Sequence, residues 1–206
     1  MLTVEFFHDA VCGWCYLQSP RLRQVSEYYN IQVIHRSFVL QKNEQEMIAR
    51  FGSLPNAKHE ILSHWEVCRE HAENPIRFNI EGMRQAAFAY PSGYLAALGS
   101  KAAEFMAGQQ GHWDFFDAIQ TAHLHENLNI GDHEVAVEVA RKIGLDEMEF
   151  ERLIEGSAVK KAVENDLDRA RSLSISTIPS LYIGNCLLVS KTLTVDQLVS
   201  VFNAFE

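Results

Sequence analysis

From Leu2 to Phe7 the chain is apolar or β-branched at every position but Glu5, which predicts a short buried strand. His8, Asp9, Ala10 and Val11 turn the chain, with His8 read as a solvated loop residue. Cys12 then opens a helix running to about Tyr29, because Cys15, Leu22, Val25 and Tyr29 recur near one face at helical spacing. Pro20 removes one backbone donor inside that helix and predicts a kink. Asn30 closes it, and Ile31 to Leu40 reads as a second strand. Such a β-α-β start predicts parallel strands joined by a right-handed crossover.

From Gln41 to about Leu173 the spacing is helical, broken at Gly52 to Pro55, Asn74-Pro75, Pro91 to Gly93, Gly108 to Gly111 and Asn129 to Gly131. Asp132 suits an N-cap, Gly144 a helix stop, and Asp146 with Glu149 a second capped start. Trp113, Phe115 and Phe116 read as core. Strand character returns after Ser176: Ser180 to Ile183 and Leu187 to Ser190 flank Gly184-Asn185, a tight hairpin turn. Thr194 and Gln197 form a capping box, Leu193 and Leu198 a hydrophobic staple, and the last helix turns Leu198, Val199 and Phe202 inward. Neither end of the chain buries its own strands, so 1–40 and 175–206 are expected to form one discontinuous α/β domain, with 41–174 as an inserted helical subdomain.

Composition narrows the function. With 206 residues, 47% of them hydrophobic, the chain buries a core without disulfide staples. A formal net charge of -9, with Lys and Arg scattered, repels phosphate backbones and argues against nucleic-acid partners. No apolar run approaches the roughly 18 residues that span a bilayer, and the N-terminus lacks the basic start and apolar stretch of a secretory signal. A cytoplasmic setting without membrane attachment is the expectation.

Four cysteines are too few for a disulfide scaffold, but Cys12-Gly13-Trp14-Cys15 follows a strand and opens a helix. Thiol exchange needs a thiolate, and a helix N-terminus favours negative charge there. Cys12 at the cap is the exposed nucleophile; Cys15, one turn on, faces inward to resolve a mixed disulfide. Zinc binding and two structural thiols are the alternatives. Zinc wants four ligands, and neither a second Cys-x-x-Cys nor a matching His pair exists; His64 and Cys68 share a helix face far from the first pair. His123 and His125 point different ways, so no metal site is expected. Cys68 and Cys186 read as buried free thiols.

The Cys-x-x-Cys after the first strand, the helical insertion and the late Thr177-Ile178-Pro179 before a hairpin resemble the DsbA-like branch of the thioredoxin superfamily, over essentially the whole chain. The string Asp9 to Tyr16 is similar to the FrnE-type group, related to 2-hydroxychromene-2-carboxylate isomerases and kappa-class glutathione transferases. The resemblance implies a thioredoxin fold with a large helical insertion and a disulfide oxidoreductase or isomerase acting through Cys12 and Cys15. It implies a cis Pro179 facing the pair, with Ile178 and Trp14 contacting an extended substrate, and Glu5 as a buried acid relaying a proton to Cys15. Tyr16 belongs either to that docking surface or to the core. No cofactor is implied beyond glutathione as a redox partner; partners are thiol- or disulfide-bearing proteins or small thiols, with a homodimer as an option. Alternatives are a glutathione-dependent isomerase or transferase of small aromatics, whose members commonly carry a hydroxyl at the first motif position, and a non-catalytic adaptor to a protease. Many relatives have Pro where this chain has Gly13, and the DsbA histidine is replaced by Trp14. The implied potential therefore lies between those of thioredoxin and DsbA, roughly -150 to -250 mV, unless His8 lends Cys12 a positive charge.

Overall fold

The first apolar run is strand β1 (Leu2–His8) of a computed structural model that describes residues 1–205. Helix α1 (Gly13–Ser26) crosses over to β2 (Ile31–Ser37), which pairs in parallel with β1 from Leu2 opposite Ile31 to His8 opposite Ser37. The helical block follows as α2 (Glu44–Phe51), α3 (Leu54–Glu70), α4 (Ile80–Gln85), α5 (Tyr94–Leu124), α6 (His133–Lys142), α7 (Glu147–Ile154) and α8 (Ser157–Ser172). Then β3 (Ser180–Ile183) runs antiparallel to β1, β4 (Leu187–Val189) antiparallel to β3, and α9 (Val195–Asn203) ends the described chain. The sheet order is β2-β1-β3-β4, so strands from both ends of the chain share one sheet. No described helix is long and apolar enough to cross a membrane.

β1 is buried on both faces, as a central strand must be. Val4 and Phe6 join the main core with Cys15, Tyr16 and Phe116, whereas Phe7 packs with Ala170 and Ile175 beneath α8. Trp113, Phe115 and Phe116 are core, as read. The expected break at Gly108 is a kink inside α5, where Gly108 takes φ +66; only glycine occupies that region freely. The capping box at Thr194 and Gln197 forms, and Leu193 and Leu198 are both buried.

Three boundaries differ from the sequence pattern. α1 ends at Ser26, and β2 ends at Ser37 because the next backbone donors are claimed elsewhere: Phe38 N–H donates to His8 O and Leu40 N–H to the Asp9 carboxylate. The hairpin turn has three residues, Gly184-Asn185-Cys186, with φ +58 at both Gly184 and Asn185. Cys186 sits on that turn and is exposed, which corrects its reading as a buried thiol; Cys68 is buried as read.

Candidate active site

Cys12 is the N-cap of α1, with extended backbone angles and no side-chain cap bond, so its sulfur is free for chemistry. The tight turn before it is closed by Cys12 N–H donating to Asp9 O at 3.1 Å. Neither cysteine is in a disulfide, and both are buried: Cys12 is 8% exposed, which corrects its reading as an exposed thiol, and Cys15 0%. Burial pushes the Cys15 thiol well above its ordinary range; the Cys12 sulfur and the Asp9 carboxylate push it further, against a backbone hydrogen bond from Asp9. One thiol therefore meets incoming groups while the other waits behind it.

The Ile178–Pro179 bond is cis, and Ile178 O lies 3.9 Å from Cys12 Sγ, within reach of a weak S–H donation. Cys12, Trp14 and Ile178 line a cleft of about 510 Å³ whose other wall comes from Trp65, Cys68 and Tyr90 of the helical block. Trp14 is half-buried and meets the His71 ring edge-on at 5.3 Å. Tyr16 is core: it packs on Phe78, with the Arg77 guanidinium 3.9 Å above its ring. A side chain at Gly13 would press on the helical block. A Cβ there would lie 3.0 Å from Cys68 Sγ and 3.2 Å from Phe78 Cε1. Cys68 thus reaches the redox motif, yet burial and the nearby Cys12 push its thiol up to about 12, which leaves it unreactive at neutral pH.

Two residues sit differently from the expectation. Glu5 is buried, but its carboxylate is bound by Arg36 at 2.8 Å and Arg169 at 2.6 Å. Burial alone would raise its pKa; the two guanidiniums overcome that and hold it below the usual carboxylate range. A carboxylate so held is a poor proton acceptor, so the raised pKa on which its relay role depended is absent. His8 is no loop residue. It ends β1, 2% exposed, and burial together with its neighbours His112, His35 and Lys101 lowers its pKa well below the ordinary value. It is neutral at pH 7 and lends Cys12 no charge.

The buried acid whose charge reaches Cys15 is Asp9. Its carboxylate accepts from Val11 N–H at 3.3 Å and Leu40 N–H at 2.8 Å, and burial raises its pKa to about 6. Gly93 exists to admit it, since a Cβ there would collide with Asp9 Oδ1. Gln120, on α5, donates its amide to the carbonyls of Cys12 (3.3 Å), Ala10 (3.4 Å) and Asp9 (3.5 Å). Tyr90 donates to Val11 O at 3.1 Å. Sequence reasoning passed over all three. Gln120 left one sign: a polar residue in the buried stripe Phe116, Gln120, Leu124.

A family model described as a DSBA-like thioredoxin domain matches residues 3–203. Among curated proteins, the ClpXP adapter protein SpxH of Bacillus subtilis is 23% identical over 188 residues, which cover 89% of this chain and 58% of SpxH. The chain therefore spans little more than half the length of that relative. Among solved structures, the cytosolic disulfide reductase DsbM from Pseudomonas aeruginosa superposes with a TM-score of 0.78 at 17% identity, covering 98% of both chains. Its structure with GSH gives 0.77 at 17% identity, again with 98% of each chain covered. 2-Hydroxychromene-2-carboxylate isomerase gives 0.66 at 14% identity, with 98% of this chain and 94% of that one covered.

Proposed function

The chain belongs to the DSBA-like thioredoxin domain family, and from that premise we propose that it is a thiol–disulfide oxidoreductase in which Cys12 attacks and Cys15 resolves. The observation that carries this reading is the asymmetry of the pair: Cys12 opens onto the cleft, while Cys15 is sealed behind it. In the reducing direction the Cys12 thiolate attacks one sulfur of a substrate disulfide, forming a mixed disulfide and expelling a thiolate. Cys15, on losing its proton, attacks Cys12 Sγ and expels the second substrate thiolate. Two electrons have then passed to the substrate, and Cys12–Cys15 is the disulfide that remains. Two molecules of glutathione restore the dithiol as they become one glutathione disulfide.

The cleft volume, about 510 Å³, suits a small thiol or a short extended segment. Trp14 and Ile178 form the substrate wall in this reading, with the buried cis Pro179 behind Ile178 and outside the cleft lining, and the Ile178 carbonyl is available to an extended backbone. Arg50 and His64 also line the cleft and would meet the carboxylates of glutathione. The GSH-bound structure of DsbM supports that choice of redox partner, and its description as cytosolic supports a cytoplasmic site of action.

The test is reduction of glutathionylated and protein disulfide substrates by the purified chain, together with Cys15→Ser trapping. Turnover in the wild type and stable Cys12-linked adducts in the variant are expected. Absence of both sinks the proposal. The match to SpxH favours a second reading, an adaptor to a protease. An adaptor keeps its partner in pull-downs when both thiols are replaced by serine, whereas covalent capture through Cys12 is lost.

A further inference from the structure

Away from the thiol cleft, three histidines meet inside the protein: His8 at the end of β1, His35 on β2 and His112 on α5, none more than 2% exposed. One ring nitrogen from each lies within 4.8 Å of the other two. His8 Nε2 and His35 Nδ1 are 3.1 Å apart, and the His35 and His112 rings stack with centroids 5.0 Å apart. Phe6, Trp113 and Phe116 close around them.

Hydrogen bonding within the protein accounts for only part of the cluster, since His8 Nε2 and His35 Nδ1 lie within hydrogen-bond distance of each other. His35 Nε2 and His112 Nε2 are buried and find no hydrogen-bond partner among the described residues. Each such nitrogen costs on the order of 1–3 kcal/mol if left alone. The other nitrogen of His112 is well served: Nδ1 lies 2.7 Å from Glu104 Oε2, which Lys101 also holds at 2.7 Å. A carboxylate accepting the Nδ1–H leaves Nε2 with a free lone pair, the arrangement found behind metal-bound imidazoles. Lys101 is anchored in turn by Asp166 at 2.7 Å, so the rings stand on a fixed polar support.

We propose that His8, His35 and His112 form a tris-imidazole site for a transition-metal ion of zinc's class, tying the strand that leads into the redox loop to the helical block. Three imidazoles without an oxygen ligand suit zinc, copper or nickel and disfavour magnesium and calcium. A neutral imidazole offers one lone pair on the nitrogen that carries no proton. Binding then needs no net proton loss, because each ring keeps one N–H on the nitrogen facing away from the ion. Imidazole nitrogens around a tetrahedral zinc lie about 3.3 Å apart. His8 Nε2 and His35 Nδ1, 3.1 Å apart, are already near that separation, and the three nitrogens lie within 4.8 Å of one another. Three imidazoles leave the fourth position of a tetrahedral ion to a water that enters with it, and the ion's part is structural, holding β1, β2 and α5 together.

The proposal is independent of the thiol chemistry, and its test removes the thiol pair. The Cys12→Ser, Cys15→Ser chain is refolded with Zn²⁺, or with Co²⁺ as a visible probe, and dialysed. Expected are one bound ion per chain, Co²⁺ bands free of thiolate charge transfer, and a raised melting temperature. Glu104→Gln should weaken binding about 10- to 100-fold, and His112→Phe should abolish it. No retained ion overturns the proposal, as does retention unchanged by His112→Phe. Should that variant fail to fold, X-ray absorption of the zinc-loaded wild type decides. A shell of imidazole nitrogens supports the site, and a sulfur-dominated shell refutes it.

Discussion

Accessibility divides the four thiols into two classes that chemistry can read. Cys12 opens onto the cleft and Cys186 sits on an exposed turn, whereas Cys15 is 0% and Cys68 1% exposed. Iodoacetamide on the native, reduced chain should therefore label Cys12 and Cys186, with Cys15 and Cys68 labelled only after denaturation. Peptide mass mapping that finds Cys15 labelled as fast as Cys12 removes the assigned roles. Asp9 carries a second prediction. Its folded pKa, about 6, lies above the ordinary 3.8, so keeping it ionised costs stability once the pH exceeds both values. Asp9→Asn removes that cost. Relative to wild type the variant should gain on the order of 3 kcal/mol between pH 4 and pH 7, whatever fixed penalty the lost backbone acceptor adds. Denaturant midpoints across that range measure it, and a pH-independent difference contradicts the assignment. The same variant should slow the attack of Cys15 on a mixed disulfide, since the buried acceptor nearest in charge to Cys15 is gone.

At the scale of elements, α5 does more than cover the sheet. One amide on it, that of Gln120, binds the carbonyls of Asp9, Ala10 and Cys12, and Tyr90 from the segment before α5 binds that of Val11. The loop is short and its carbonyls are buried, so these donors replace the water they would otherwise need. Gln120→Leu fills the same volume but withdraws the donor. It should destabilise the fold by about 1–3 kcal/mol and lower the rate of disulfide exchange by more than the loss of folded protein explains. Exchange assays normalised to folded fraction test this, and an unchanged normalised rate assigns Gln120 to packing alone.

For the whole molecule, the buried imidazoles set the acid limit. His8, His35, His112 and His123 are all held below the ordinary value of 6.5 by burial, His123 down to about 4. Groups with lowered folded pKa values take up protons only on unfolding, so stability falls as the pH drops below 6.5. Asp9, protonated in the fold first, offsets one of the four. The stability of the metal-free protein should therefore slope downward from pH 6 to pH 4.5. Chemical denaturation at several pH values gives that slope directly. A slope near zero means the rings are protonated in the folded state and not buried as described.

How much of this was legible in the residues alone depends on whether the cause was local. The strand ahead of Cys12, the helix it opens, the capping box at Thr194 and the break at Gly108 are local, set by periodicity and by backbone preferences within a few positions. The Cys12–Cys15 pair was legible for the same reason, because spacing and helix polarity are written in consecutive residues. What surrounds the pair was not. Glu5 and Asp9 are both acids near one motif, and nothing adjacent to either tells that two arginines, from β2 and α8, neutralise one while burial under Gly93 raises the pKa of the other. His8 reads as a loop residue until β2 and α5 close over it. Buried polar groups are decided by partners far along the chain, since a charge or an imidazole takes its state from what the whole fold packs against it. The sequence by itself determined the elements and the placing of Cys12 and Cys15 at a helix N-terminus; the tertiary structure decided which acid stands beside them and which histidines come together.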